Sequence, residues 1–325
     1  MSNGAETTDL PGPTFPLKDP GEAVVHAGPR LVPRIVSVPT RCTEHLIDLA
    51  EGADVFAAFE AALGTDGTNG IMAEFVSGQF GRIDYVHPAY GPDAEHPMSF
   101  TEAFSLDTPT RLRHASATIG FREGTPFCHI HASWTCADGT IRGGHLLPGT
   151  LAGPEGLRIR LYILADARLV SEVDPETGFS AFAPHPVGSK SAGVEARTSA
   201  TTWPAQTVAP SNPAFPDSVV SRIRPGEILD EAVLAVCRNA GFDSAEVVAS
   251  LGSTTGAVFT GRTAPWPAVE FTHLSGTVTG AQTTAPQCTL SGEVVDVAGE
   301  VHSGVLINSA NPVAVTFELF VRRAA

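Results

Sequence analysis

His129 and His131, with one residue between them, and His145 further along are the side chains of this sequence best suited to chemistry. Side chains two positions apart on an extended strand point to the same face, so the first two converge if residues 127–135 form a strand. Three neutral imidazoles suit Zn²⁺ or another borderline divalent ion and leave at least one position for water or a substrate oxygen. Such an open site is catalytic in character. Taken singly, each histidine is more often a hydrogen-bonded surface or core group than a ligand, and it is the triple pattern that brings the two readings level.

Whether His145 joins the pair depends on hairpin register. A two-residue Asp138-Gly139 turn would set His145 against Ala132, on the wrong face. A three-residue loop, Ala137-Asp138-Gly139 with Gly139 left-handed, would set it opposite His131. A bulge at Gly143-Gly144 would give the same result.

Other polar residues can be placed around such an ion. The stretch Asp84-Tyr85-Val86-His87-Pro88-Ala89-Tyr90-Gly91 begins as a strand and ends in a Pro/Gly turn, where a loop can line a pocket. Tyr85 and His87 are candidate general acids or bases, with Tyr90 as a substrate contact. His96 and Ser99 follow in the same loop, and His185, Lys190 and Arg197 are further candidates to meet a substrate carboxylate, Arg197 foremost. Glu123 lies near the His-x-His strand as a fourth ligand, a base or a partner to an imidazole. Cys128, at odd spacing to His129, would face away from the histidines.

These residues need a scaffold. Val55, Phe56, Phe59 and Leu63 recur at helical spacing after Gly52-Ala53-Asp54, which predicts a helix. Short β patterns at 34–40 and 43–49 precede it. Candidate strands at 70–77, 82–86, 115–120, 127–135, 140–147 and 157–164 follow, divided by Gly, Pro and Asp turn signals. The reading is an α+β domain over 34–173, a helix packed on an antiparallel or mixed sheet, after an irregular Gly/Pro-rich arm at 1–33. Residues 174–217 show no period and predict a linker.

A second domain, 218–325, repeats the order. Its helix runs through Ala232, Val233, Val236 and Cys237 and stops at Asn239-Ala240-Gly241, where glycine suits a C-cap. Pro126-Phe127-Cys128-His129-Ile130-His131 aligns with Pro286-Gln287-Cys288-Thr289-Leu290-Ser291, and the same offset sets Gly144-His145-Leu146 on Gly304-Val305-Leu306. Thr289, Ser291 and Val305 thus replace the three histidines, which predicts a degenerate copy without a metal and one ion per chain.

The chain of 325 residues is 42% hydrophobic and 17% charged, a globular composition. A formal charge of −15 and no Lys/Arg-rich run argue against nucleic acid as a partner. No window approaches the roughly 18 to 20 apolar residues of a membrane span, and the amino terminus is acidic and polar, so a cytoplasmic protein with no membrane partner is expected. Five dispersed cysteines with no C-x-x-C pair signal neither a disulfide framework nor a thiolate zinc site. No phosphate-binding glycine loop and no G-x-S-x-G elbow is present.

Residues 127–147, with H-x-H-x-S, a polar turn and then Gly-Gly-His-Leu, resemble the signature of the plant- and prokaryote-conserved (PPC) domain. Arg222-Ile223-Arg224-Pro225-Gly226-Glu227-Ile228 and Val247-Val248-Ala249-Ser250-Leu251-Gly252-Ser253 are similar to that family's opening helix and following strand. The likeness covers roughly 40–170 and 218–323. It implies compact α+β domains, trimeric assembly and, as in prokaryotic members, a divalent metal on His129, His131 and His145. The first domain departs from it, with Ala50-Glu51-Gly52-Ala53 in place of Arg-Pro-Gly-Glu. The chain also lacks the Arg-Gly-Arg-Pro hooks by which plant members grip the minor groove. The expectation is a zinc-dependent hydrolase, hydratase or lyase acting on a small oxygenated or carboxylated metabolite, in a homo-oligomer. The rival is a non-catalytic metal-containing module for small-molecule binding or trimer assembly.

Overall fold

In the computed structural model, residues 12–64, 70–188, 206–207 and 215–324 are described. Helix α1 (Val55–Gly64) starts where Asp54 Oδ1 accepts the Ala57 N–H at 3.0 Å, a side-chain cap for an otherwise unpaired donor. Its Val55, Phe56, Phe59 and Leu63 are buried, the stripe read from the sequence. Helix α2 (Leu229–Ala240) ends at Gly241, whose φ of 70° is left-handed. There the Phe242 N–H reaches the Cys237 carbonyl at 2.9 Å and the Gly241 N–H the Arg238 carbonyl at 3.1 Å, satisfying the last carbonyls.

Strands dominate, so the fold is mostly β in two parts rather than α+β. The expected helices are present, but the strands are far longer than the turn signals suggest: Ile71–Val86 has 16 residues and Ile141–Leu164 has 24. Each merges two expected strands. Gly78 (φ 123°), Gly149 (φ 104°) and Gly156 (φ 68°) bend these strands without ending them, which only glycine does cheaply.

In the first, nine-stranded sheet the order is Ser180–Pro186, Ala167–Val173, Thr110–Arg122, Ile71–Val86, Ile141–Leu164, Cys42–Leu49 and Gln206–Thr207, with Phe104–Leu106 on Ile71–Val86. Thr125–Thr135 pairs with both Thr110–Arg122 and Ile141–Leu164, so these long strands curl back into a barrel-like ring.

In the second, eight-stranded sheet the order is Ile35–Thr40, Ser218–Ile223, Val313–Arg323, Ala245–Val247, Val269–Thr279, Gln287–Val295 and Val301–Val305, with Leu251–Thr254 beside Val269–Thr279 and Val313–Arg323. Two segments fall elsewhere than the sequence reading set them. Ile35–Thr40, expected to open the first domain, pairs with Ser218–Ile223 of the second. Ser180–Pro186, inside the expected linker, is a strand on Ala167–Val173.

The two halves share apolar packing. Val38, Met72, Tyr162, Leu169, Phe182, Val220, Leu251 and Phe320 form one buried cluster drawn from both, and Asp174 accepts from Arg222 and Arg224 across it. Residues 12–33 carry no helix or strand and contact both halves: Phe15 is edge-on to Trp266 and the Trp266 Nε1–H donates to the Glu22 carbonyl, while Thr14 Oγ1 donates to the Pro92 carbonyl and the Leu31 N–H to Glu176. Among the described residues no helix is long and apolar enough to cross a membrane. All five cysteines are free.

Candidate metal centre and its cavity

The hairpin adopts the register that brings three imidazoles together. The Cys136 N–H reaches the Thr140 carbonyl at 2.8 Å, the Gly139 N–H the Cys136 carbonyl at 2.9 Å, and Gly139 has φ 86°. That is the three-residue loop with a left-handed glycine, and it sets His131 opposite His145. A Cβ at Gly144 would lie 2.2 Å from the Val86 carbonyl, and one at Gly143 would lie 2.4 Å from a Val295 methyl. The glycine pair lets one strand and the second half close on the hairpin.

The ring centroids lie 4.5, 4.9 and 5.5 Å apart, and one nitrogen of each ring lies within 4.8 Å of the others. The second half decides which nitrogens these are. His129 Nδ1 lies 3.0 Å from both oxygens of Glu318, so it donates and leaves the Nε2 lone pair inward. His131 Nδ1 donates to the Phe271 carbonyl at 3.0 Å, which leaves its Nε2 inward as well. The two Nε2 atoms are 3.0 Å apart, and Glu270 Oε1 is 3.3 Å from His131 Nε2. Two lone pairs and a carboxylate oxygen so placed require a positive centre between them, either a second proton on His131 or a cation.

Charge follows the same geometry. Burial disfavours the charged form of His131, but Glu270, with help from the Phe271 carbonyl, outweighs it and raises the pKa. Burial and the two neighbouring imidazoles drive His145 well below the usual histidine range, so it is neutral at pH 7. Glu318 is 3% exposed; burial alone would raise its pKa, yet His129 holds it below the usual carboxylate value.

His145 Nδ1, Glu270 Oε2 and Thr316 Oγ1 are buried with no hydrogen-bond partner among the described residues. All three residues line a cavity of about 400 Å³ that the other two histidines also line. Two nitrogens each roughly 2.1 Å from one tetrahedral ion lie roughly 3.4 Å apart, close to the spacing found. The donor set, two oriented imidazoles and a neutral third with the Glu270 carboxylate beside them, therefore fits a borderline divalent ion.

The remaining candidates scatter. Ser99 lines the cavity. Tyr85 does not: its ring packs on Trp134 and Phe104 at 4.8 and 5.4 Å. His87 is buried against the second half, stacked on Phe104 with Nδ1 on the Pro88 carbonyl, and burial lowers its pKa. Tyr90 sits half-buried in a short two-stranded ribbon. His96 is exposed beside Asp93. Glu123 is exposed in the tight turn after Thr110–Arg122, with φ 49°. His185 is in the edge strand, and Lys190 and Arg197 lie outside the described residues.

The carboxylates at the histidines are Glu270 and Glu318, which the sequence reading missed. One signal for the latter was available: it is the lone carboxylate in the apolar run Val313–Val321. The second copy keeps the hairpin register, with Ser291 opposite Val305 and Gly299 left-handed at φ 73°. Its Asp296, Glu300 and His302 also cluster, but there Asp296 closes the turn by accepting from the Ala298 and Glu300 N–H groups.

The family described as "Plants and Prokaryotes Conserved (PCC) domain" matches residues 36–156 and 211–325. No curated protein matches the chain. Among solved structures it is similar to a "Putative DNA-binding protein" from Ralstonia eutropha JMP134, at 20% identity and TM-score 0.34 over 42% of this chain and 88% of that one. It is also similar to a "putative dna binding protein" from Bacteroides thetaiotaomicron, at 12% identity and TM-score 0.34 over 43% and 90%. A third is a "Metal-containing Protein" from Archaeoglobus fulgidus, at 20% identity and TM-score 0.36 over 45% and 97%. The expectation that nucleic acid is no partner is corrected: the first two of these similar structures are named as "putative" DNA-binding proteins.

Proposed function

This chain belongs to the Plants and Prokaryotes Conserved family, and from that premise we propose that it is a zinc-dependent enzyme acting on a small oxygenated or carboxylated metabolite by hydrolysis, hydration or lyase chemistry. The observation that carries this reading is the convergence of the His129 and His131 Nε2 lone pairs and Glu270 Oε1 on the wall of a ligand-sized cavity. His129, His131 and His145 would hold the ion. When bound, it supplies Lewis acidity toward a ligand oxygen. Glu318 and the Phe271 carbonyl hold the first two rings in one tautomer and orientation, as outer partners of histidine ligands do. Glu270, whose Oε2 has no other partner among the described residues, is the group placed to accept a proton from a ligand at the histidines.

A non-catalytic reading has its own support: the carboxylates come from the second half, so a bound ion would also staple the halves together. The discriminating experiment screens esters, amides, lactones and 2-hydroxy acids with metal-stripped and zinc-reconstituted protein. Turnover that appears only on reconstitution and is lost in His129→Ala/His131→Ala is the expected result. A rise in melting temperature on reconstitution without turnover of any compound would favour the stapling role.

A further inference from the structure

We infer that the cavity is shaped for a monocarboxylate with a flat apolar body and that Arg122 anchors the carboxylate. The inference rests on reading the cavity as the substrate site. Arg122 is the one Lys or Arg among the described residues that line it. Its guanidinium lies over the Phe127 ring, 3.6 Å from the centroid, which fixes the plane of its donor fork. Nε and Nη2 reach Ser171 Oγ only at 3.4 and 3.3 Å, and no carboxylate oxygen lies within ion-pair distance among the described residues. A rigid fork with spare donors, held at a cavity wall, matches a carboxylate in shape and charge.

The walls select the rest of the ligand. Phe100 and Phe179 meet edge-on at 6.1 Å, and Phe127 and Phe182 lie tilted at 5.7 Å, so a flat body has aromatic surfaces to pack against. Phe100 is also edge-on to His145 at 5.8 Å, and the charge of Arg122 is felt at His145. A ligand with its carboxylate on Arg122 therefore carries its body past these rings toward the histidines. The volume of about 400 Å³ suits a small ligand. With a divalent ion on the histidines, Glu270 and Glu318 would offset its charge and the exposed Glu60 at the cavity leaves no surplus positive charge beyond the Arg122 fork, which accepts one carboxylate and disfavours a second negative charge.

Isothermal titration of benzoate and of its neutral isostere benzamide into zinc-loaded protein tests this, using wild type, Arg122→Met and Arg122→Lys with zinc content measured in each sample. Benzoate is expected to bind wild type about tenfold or more tighter than benzamide. Arg122→Met should bring benzoate down to the benzamide level at unchanged zinc content, and Arg122→Lys, keeping the charge but not the fork, should fall between. Equal binding of the two compounds by wild type, undiminished benzoate binding by Arg122→Met, or no benzoate binding at millimolar concentration would overturn the inference. The first comparison needs no variant and decides even if Arg122→Met fails to fold. Arg122-dependent benzoate binding in protein that takes up no zinc would sink the metal reading and leave this one standing.

Discussion

At His129 a buried carboxylate decides which nitrogen faces the cavity, because Nδ1 donates to Glu318 and the Nε2 lone pair is left toward His131. The control is electrostatic as well as geometric, so Glu318→Gln separates the two: the amide oxygen still accepts the hydrogen bond, but the charge that makes the ring a better donor to a metal is gone. Zinc affinity, measured by competition with a chromogenic chelator, is expected to fall by roughly 10- to 100-fold while the fold persists. Unchanged affinity would show that Glu318 is a packing residue. Sequence spacing pointed to Glu123 as the nearby acid, but the strand carries it to an exposed turn. Nearness along a strand is not nearness to its face.

For the elements, the hairpin of Thr125–Thr135 with the start of Ile141–Leu164 sets the site, and its register was legible as one of two alternatives. Asp138-Gly139 and Gly143-Gly144 carried that information because a one-residue shift moves His145 to the other face. The long strands were not legible, since glycines that bend a strand and glycines that end one look alike without the neighbours they pack against. The carboxylates were hidden for a related reason: they reach the histidines through pairing of the halves, which no local pattern records. Gly143→Ala tests the hairpin's tolerance. The added methyl meets Val295 at 2.4 Å and the Ala132 carbonyl at 2.9 Å, so urea denaturation should show a loss of about 1–3 kcal/mol, with weaker zinc retention. A neutral effect on both would mean that the halves need not close on the hairpin.

Across the whole molecule, the interface between halves carries its own titrating pair. His114 of Thr110–Arg122 stacks on His273 of Val269–Thr279 at 4.4 Å. Burial, then the neighbouring imidazole, pushes His273 down to about 4, and burial lowers His114 too. A folded pKa below the unfolded value of about 6.5 means that the unfolded chain binds the proton more readily. The stability from this pair is therefore full above pH ~6.5 and is lost as pH falls toward 4, by up to about 3 kcal/mol for His273. Urea midpoints between pH 7 and 4 should fall less steeply in His273→Phe than in wild type; parallel curves would contradict the assignment. The interface matters to function because it joins three histidines of one half to two carboxylates of the other, in a repeat whose second copy has Thr289, Ser291 and Val305 at the matching positions. The most direct test of that composite site is the zinc content of purified wild type beside His129→Ala/His131→Ala, by elemental analysis after dialysis. One ion per chain in wild type and almost none in the variant is the expected result, and equal content in the two proteins would contradict it.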